Sequence, residues 1–126
     1  MGNLVIVYNA KDKIISRKYL DLQNDDAIGD ALDIVGSQTN MYLAKSVGYK
    51  NNQKLVIYYN SRVDWEQKES YNPLGFMGEV FNNIFLVAAF DPKTQEAEDI
   101  KMKPTEAFRE VKNFEATEFG WDIRFN

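Results

Sequence analysis

The chain of 126 residues contains no cysteine and no histidine. Without them it can form no disulfide, no zinc site built on thiolate or imidazole, and no catalytic pair that uses either residue. No remaining side chain has an ordinary pKa near neutrality, so acid–base catalysis would require a strongly shifted carboxylate, lysine or tyrosine. We therefore predict a protein that is not an enzyme and that holds neither a metal nor a cofactor.

Long apolar runs are also missing from the chain. The longest, Ile84 to Phe90, has the length of one buried strand, whereas a membrane-spanning helix needs about 18 apolar residues. The N-terminal stretch MGNLVIVYN lacks the basic start and the long apolar core of a signal peptide. We expect a cytoplasmic protein that does not bind membranes. It should form one domain over residues 1–126, since no linker divides the chain.

Basic residues are scarce in one part of the chain. The net charge is −4, with 19 acidic and 15 basic residues, and this balance disfavours a broad phosphate-binding surface. No lysine or arginine occurs between Lys18 and Lys45. The same stretch carries five aspartates, which are Asp21, Asp25, Asp26, Asp30 and Asp33. The acidic excess is therefore concentrated in one segment.

This acidic segment includes NDDAIGDALDIVG, residues 24–36, whose pattern predicts an amphipathic helix. Asn24 or Asp25 can cap its start, and Gly36 is typical of its end. The apolar stripe expected to face the core consists of Ile28, Ala31, Leu32 and Val35. The opposite stripe consists of Asp26, Asp30 and Asp33.

Most of the remaining N-terminal half predicts strands. LVIVYN (4–9) and IISRKYLDL (14–22) form a hairpin across the turn at AKDK. Residues 39–50 fit either a strand or a short capped helix. The strand is favoured because apolar residues alternate at Met41, Leu43, Val47 and Tyr49. In the long strand that follows, one side carries Leu55, Ile57, Tyr59, Val63 and Trp65.

The C-terminal part continues the same alternation of elements. IFLVAAF (84–90) is a buried strand, EAEDIKMK (96–103) is its more polar partner, and FGWDIRFN (119–126) is a last strand. Pro104 and Thr105 are expected to start a second, short helix. Its inward side would carry Ala107, Phe108, Val111 and Phe114. Together these elements predict an α+β fold, with a mainly antiparallel sheet of about six or seven strands and two short helices packed on one face.

Three stretches of the chain resemble one another: LVIVYNAK (4–11), LVIYYNSR (55–62) and LVAAFDPK (86–93). The first and third precede a return strand and a helix, which is the pattern of a ββα duplication. The simpler interpretation is that core strands use few residue types and end at a turn-forming Asn or Asp. The functional alternative is a row of aromatic and amide groups along one sheet edge, formed by Tyr8-Asn9, Tyr59-Asn60, Phe90-Asp91 and Phe125-Asn126.

Two surfaces are candidate binding sites. The three aspartates of the helix span roughly 10 Å, comparable to the spacing of neighbouring phosphates, so they suit a basic groove on another protein. The simpler interpretation is a helix face charged for solubility. The second surface is SYNPLGFMGEVF (70–81), which is too apolar for a free loop and is typical of an interface. Its apolar candidates are Tyr71, Leu74, Phe76, Met77 and Phe81.

The spacing of Met77 and Phe81, one helical turn, allows the alternative of a short helix packed on the sheet. A small acidic chain without histidine or cysteine is typical in composition of immunity proteins and of phage-encoded inhibitors of host defence enzymes. We predict a protein-binding module that blocks a basic surface, such as that of a nucleic-acid-binding protein or a nuclease. A homodimer through an exposed sheet edge is left open.

The first alternative function is binding of single-stranded nucleic acid. Its stacking platform would consist of Tyr8, Tyr58, Tyr59, Trp65 and Phe90. Nearby positive charge would come from Lys11, Lys13, Arg17 and Lys18.

The second and more distant alternative is a Mg²⁺-dependent nuclease. Asp91 followed by Asp99-Ile100-Lys101 resembles the pattern of one large nuclease class, an Asp on one strand and D/E-x-K on the next. Carboxylates would hold the metal and the lysine would steady the developing charge.

Overall fold

The structure, a computed structural model, describes residues 2–9, 12–34, 42–59, 74–76, 79–81, 84–104 and 122–124. Within these ranges lies one helix, α1 (Asp25–Ala31). The strands are β1 (Asn3–Asn9), β2 (Ile14–Leu20), β3 (Leu43–Lys50), β4 (Gln53–Tyr59), β5 (Leu74–Phe76), β6 (Glu79–Phe81), β7 (Ile84–Phe90), β8 (Ala97–Glu98) and β9 (Asp122–Arg124).

A sheet of seven strands has the order β3-β4-β7-β1-β2-β9, and β8 pairs with the last residues of β7. Every pair in it is antiparallel except β2 with β9, which is parallel. β5 and β6 form a separate antiparallel hairpin. The predicted α+β fold with a mainly antiparallel sheet of six or seven strands is therefore confirmed.

The central strands β1 and β7 are apolar at consecutive positions because both sides of the sheet are covered. Leu4 to Tyr8 are all buried, and so are Ile84 to Ala89. Successive side chains of a strand point to opposite sides, so a strand covered on both sides needs apolar residues throughout. Leu4, Ile6 and Tyr8 accordingly join one core cluster, while Val5 and Val7 join the other.

Helix α1 packs on the side of the sheet that carries Val5, Val7 and Leu86, which we call the helix side. Ile28 and Leu32 lie in this contact and are almost fully buried. Burial of an aliphatic side chain of this size contributes roughly 1.5–3 kcal/mol. The predicted inward stripe of the helix is confirmed for these two residues.

The start of α1 is also as predicted. Asn24 Oδ1 accepts hydrogen bonds from Asp26 N at 3.0 Å and from Ala27 N at 3.3 Å. These bonds satisfy two backbone donors that have no partner inside the first turn of a helix. Ala31 is buried on the inward stripe, whereas Val35 lies outside the described residues.

The end of α1 comes before the predicted stop at Gly36, because Asp33 adopts a left-handed backbone with φ of 60°. Two hydrogen bonds close this end, from Asp33 N to Asp30 O at 3.1 Å and from Ile34 N to Gly29 O at 2.8 Å. This is a Schellman arrangement, in which glycine is the usual left-handed residue. Because this residue is an aspartate and not a glycine, the sequence did not indicate that the helix ends here.

The opposite side of the sheet is covered by residues 99–104, which we call the strap. Ile100 and Met102 of the strap are buried in the core cluster on this side. Tyr8 is fully buried beneath it, and its hydroxyl donates a hydrogen bond to Pro104 O at 3.0 Å. The sheet therefore has a helix on one side and an irregular segment on the other.

Gln53, which is 1% exposed, fixes the strap through its side-chain amide. Its Nε2 donates to Asp99 O at 2.9 Å, and its Oε1 accepts from Lys101 N at 3.0 Å. Asp99 Oδ1 in turn accepts from Leu4 N at 2.8 Å. These bonds take the place of strand pairing, so the polar strand predicted over 96–103 is wrong beyond the two residues of β8.

The ββα duplication is not supported by the described residues. β8 has 2 residues where β2 has 7, and the strap that follows β8 lies on the side opposite α1. Of the two predicted helices, α1 alone falls in the described ranges; the second, from residue 105, lies outside them. The alternative of a short helix ending at Phe81 is wrong over Glu79–Phe81, which form β6.

The ambiguous segment before residue 50 contains strand β3, which confirms the favoured prediction. Val47 is an extra residue in the pairing of β3 with β4 and forms a β-bulge. Gly48, beside this bulge, has φ of 139°, a conformation that glycine adopts without steric cost. The bulge shifts the alternation, so Leu43 and Tyr49, predicted on one side, lie on opposite sides of the sheet. In β4, Leu55, Ile57 and Tyr59 share the strap side as predicted, while Val63 and Trp65 lie outside the described residues.

Candidate functional site

The predicted acidic stripe lies on the exposed side of α1. Asp26 and Asp30 are exposed on the helix itself, and Asp33 is exposed at the left-handed residue that follows it. We call these three residues the acidic row. Because Ile28 and Leu32 hold the other side of the helix in the core, the row points away from the sheet.

The first turn of α1 is tied to the sheet by Tyr42, a residue that sequence reasoning missed. Its hydroxyl donates a hydrogen bond of 2.6 Å to Asp25 Oδ1, and its ring meets the edge of Tyr58 at a centroid distance of 5.7 Å. Burial, and then the bond to Asp25, raise the pKa of Tyr42 to about 12. No local signal marks this pair, since 17 positions separate the two residues in the chain.

Within the described ranges, no three acidic side chains converge to hold a metal ion. The carboxylates of the acidic row are instead presented singly to solvent. In that arrangement each can accept hydrogen bonds from a cationic group.

The apolar segment predicted over 70–81 is partly described. Leu74 and Phe76 lie on β5, Phe81 lies on β6, and Leu74 is paired directly with Phe81 in the register of this hairpin. Tyr71 and Met77 lie outside the described residues. The structure thus places three of the five apolar candidates on one two-stranded element.

The stacking platform needed for single-stranded nucleic acid is not assembled by the described aromatic residues. Tyr8 is fully buried and stacks on Phe85 at 5.0 Å, so its ring faces no solvent. Tyr58 packs with the helix side and Tyr59 with the strap side, which puts the sheet between their rings. Phe90 packs with the helix side.

The basic residues of that alternative lie in or beside β2. Lys18 is exposed, whereas Lys13 and Arg17 are half-buried. The Nε atom of Arg17 is buried and has no hydrogen-bond partner among the residues that the structure describes. Lys11 lies outside the described residues.

The two carboxylates of the nuclease alternative both bind the protein backbone. Asp91 Oδ1 accepts from Lys93 N at 2.7 Å and from Thr94 N at 3.0 Å. These two bonds lower the pKa of Asp91. Asp99 Oδ1 accepts from Leu4 N. Both side chains therefore have a structural role in holding a turn and the strap.

Two of the four aromatic-plus-amide pairs, Tyr8-Asn9 and Phe90-Asp91, form turns, as the simpler interpretation predicts. Asn9 Oδ1 accepts from Asp12 N at 2.9 Å, and Asp91 closes its own turn in the same manner. Asn9 is paired with Ile84 at the start of β7, while Asp91 follows the end of that strand. The two pairs lie at opposite ends of the sheet, which excludes a common row; Asn60 and Asn126 lie outside the described residues.

None of the helical residues described here forms a stretch long and apolar enough to cross a membrane. Comparisons of the chain with protein-family models, with curated proteins and with solved structures find no match. The functional argument therefore depends on the geometry and charge of the described residues.

Proposed function

We propose that this protein is a non-enzymatic binding module that blocks a basic surface of another protein, as immunity proteins and phage-encoded inhibitors of defence enzymes do. The observation that carries the proposal is the exposed acidic row on a helix whose other side is buried in the core. The expected partner is a nucleic-acid-binding protein or a nuclease, because its working surface is basic.

The length of the acidic row supports this partner class. Asp26 and Asp30 lie about 6 Å apart along α1 at the rise of a helix, and Asp33 continues the row just beyond the end of the helix. A nucleic-acid strand advances by about 3.4 Å per phosphate, so the two helical carboxylates alone cover the length of about two phosphates. Lysine and arginine side chains that hold those phosphates would meet carboxylates instead.

Rigidity of the row also supports the proposal. α1 is anchored by Ile28 and Leu32 in the core and by the bond between Asp25 and Tyr42 at its first turn. A surface that is already ordered loses little conformational entropy when a partner binds. The acidic row is therefore arranged to favour fast and specific association.

The apolar segment is the proposed anchor of the complex. Exposed ion pairs contribute only about 0.2–1 kcal/mol each, so the acidic row alone would bind weakly. Apolar and aromatic residues at the centre of an interface supply most of the binding free energy. We assign that role to Tyr71, Leu74, Phe76, Met77 and Phe81.

Affinity capture from the source cell tests the proposal. The immobilised protein is compared with the variant Asp26→Asn/Asp30→Asn at low and high salt. We expect the wild-type protein to retain a basic, nucleic-acid-binding protein at low salt and to retain less of it at high salt, because the contact of the acidic row is screened while that of the apolar anchor is not. The double variant should retain less of it at low salt and show a weaker salt dependence, and the captured partner should bind less DNA when the wild-type protein is added.

A control variant removes the same amount of charge elsewhere. Asp12→Asn/Glu96→Gln changes two exposed acidic residues outside α1 and should retain the partner. Equal retention by both double variants would remove the acidic row from the proposal. Salt-sensitive binding of labelled single-stranded DNA by the purified protein would favour the nucleic-acid alternative.

A further inference from the structure

A cleft lies at the end of the sheet where two turns meet. One turn joins β3 to β4 and the other joins β7 to β8, and the cleft between them has a volume of about 720 Å³ and is open to solvent. Pockets for small ligands commonly measure about 300–1,000 Å³. Its walls include Tyr49, Lys50, Asn51, Asn52, Asp91 and Lys93.

The two walls of the cleft are held by turn geometry on one side and by hydrogen bonds on the other. Asn51 and Asn52 form a tight turn with left-handed backbones, φ of 55° and 62°, of the type that joins hairpin strands. In the second turn, Asp91 N donates to Glu96 O at 2.8 Å and Gln95 N donates to Asp91 O at 2.9 Å. The cleft is therefore present without a ligand, which lowers the cost of binding one.

Hydrogen-bond donors dominate the polar lining. Lys50 and Lys93 bring ammonium groups, and Asn51 and Asn52 bring side-chain amides. The one carboxylate in the lining belongs to Asp91, whose Oδ1 already accepts from two backbone N–H groups of its own turn. Such a lining favours a ligand that carries negative charge.

An exposed aromatic ring borders the same cleft. Tyr49 is 65% exposed, and its position follows from the bulge at Val47, which moves it to the side of the sheet opposite Leu43. A ring in this position offers a flat apolar surface on which a planar group can stack. We propose that the cleft binds a small organic anion that bears a flat ring, with the anionic group towards Lys93 and the asparagine amides and the ring against Tyr49.

This site is separate from the acidic row. Tyr42, which contacts α1, immediately precedes β3, and Tyr49, which borders the cleft, lies near the other end of that strand. Seven residues of strand span about 23 Å. The proposal therefore goes beyond the protein-binding function and does not depend on it.

Titrations of the purified protein by nuclear magnetic resonance test the cleft, with AMP, UMP and phenyl phosphate as probes. We expect saturable shifts of the amide signals of residues 49–52 and 91–93, with a dissociation constant below about 1 mM for at least one probe. Inorganic phosphate and adenosine, which each lack one half of the proposed ligand, should bind at least about tenfold more weakly than AMP.

Matched surface variants separate this site from general charge and aromatic effects. Lys93→Ala should weaken binding about fivefold, and Tyr49→Ala should weaken it about tenfold. Lys18→Ala and Tyr19→Ala serve as controls, since Lys18 is exposed and Tyr19 is 67% exposed on β2, about 19 Å across the sheet from β3. Both controls should bind like the wild type.

Several results would overturn the proposal. They are the absence of saturable binding by all three ring-bearing anions, equal losses in the control variants, and inorganic phosphate binding as tightly as AMP. Unchanged unfolding midpoints of the four variants would show that any lost binding comes from the cleft and not from the fold.

Discussion

The hydroxyl of Tyr42 donates a hydrogen bond of 2.6 Å to Asp25 Oδ1 and so joins the segment before β3 to the first turn of α1. Hydrogen bonds to a charged acceptor are shorter and stronger than those between neutral groups. This contact adds to the anchoring of the helix by Ile28 and Leu32 in the core, although Tyr42 itself is not part of the acidic row.

Tyr42→Phe should destabilise the protein by about 1 kcal/mol, because the ring contact with Tyr58 remains while the bond to Asp25 is lost. Urea unfolding measures the change. Tyr19→Phe is the control: this ring is 67% exposed, and a substitution there should stay within about 0.5 kcal/mol of the wild type. Equal effects of the two variants would show that the bond adds nothing to stability.

Stability should fall at alkaline pH because of the same pair. The pKa of Tyr42 is raised from 10.0 to about 12, first by burial and then by its bond to Asp25. The folded protein therefore keeps this proton where the unfolded chain has released it. The stabilisation is complete below pH 10.0 and is lost as the pH rises towards about 12. Urea midpoints across this range should decline less in Tyr42→Phe, and parallel declines would contradict the assignment.

Asp33→Gly should stabilise the protein by about 0.5 kcal/mol. Asp33 has φ of 60° at the position after the helix where glycine has no steric cost. Asp33→Val should destabilise by about 1–2 kcal/mol, since a branched side chain is strained in the left-handed conformation. Thermal unfolding measures both changes. Both variants lose the same charge, so a higher stability of Asp33→Gly than of Asp33→Val would come from the backbone conformation at this position. Equal stabilities of the two variants would contradict the prediction.

Gln53→Leu should destabilise the protein by about 2–3 kcal/mol. Gln53 is buried and binds Glu98 Oε1, Asp99 O and Lys101 N, and loss of its amide leaves partly buried backbone groups without this partner. Hydrogen exchange at Lys101 N should accelerate by the factor that corresponds to this loss in the free energy of unfolding. Lys54→Ala removes an exposed bond of 3.3 Å to Gln95 and serves as the control. It should change the free energy of unfolding, and the free energy of exchange at Lys101 N, by no more than about 0.5 kcal/mol. Unaltered exchange at Lys101 in the Gln53 variant would mean that the strap does not depend on this side chain.

Elements with a strong local pattern were predicted well. The hairpin of β1 and β2, the buried strand β7 and the start of α1 at Asn24 all follow from apolar periodicity and from a capping side chain within three residues of the groups it binds. The exposure of Asp26, Asp30 and Asp33 was predictable for the same reason, because the burial of Ile28 and Leu32 determines which side of the helix faces solvent. That the acidic row binds a partner remains a prediction.

Features that depend on distant residues were missed. The polar stretch after β8 has the composition of an edge strand, yet Gln53 binds its backbone at Asp99 O and Lys101 N, and its own Asp99 side chain binds Leu4 N of β1. The bulge that exposes Tyr49 follows from the register of β3 on β4, and alternation along one strand does not reveal an extra residue. The cleft bordered by Tyr49 arises where two turns, roughly 40 residues apart in the chain, lie at one end of the sheet.

The sequence by itself determined the strands β1, β2, β4 and β7, where the acidic helix begins and which of its sides is buried, because these depend on residues within a few positions of one another. The tertiary structure alone decided the strand order, the covering of the second side of the sheet, the bond between Tyr42 and Asp25, and the meeting of the two turns at the cleft. Each of these joins residues that are far apart in the chain, and their contact exists only once the sheet has formed and closed the intervening loops.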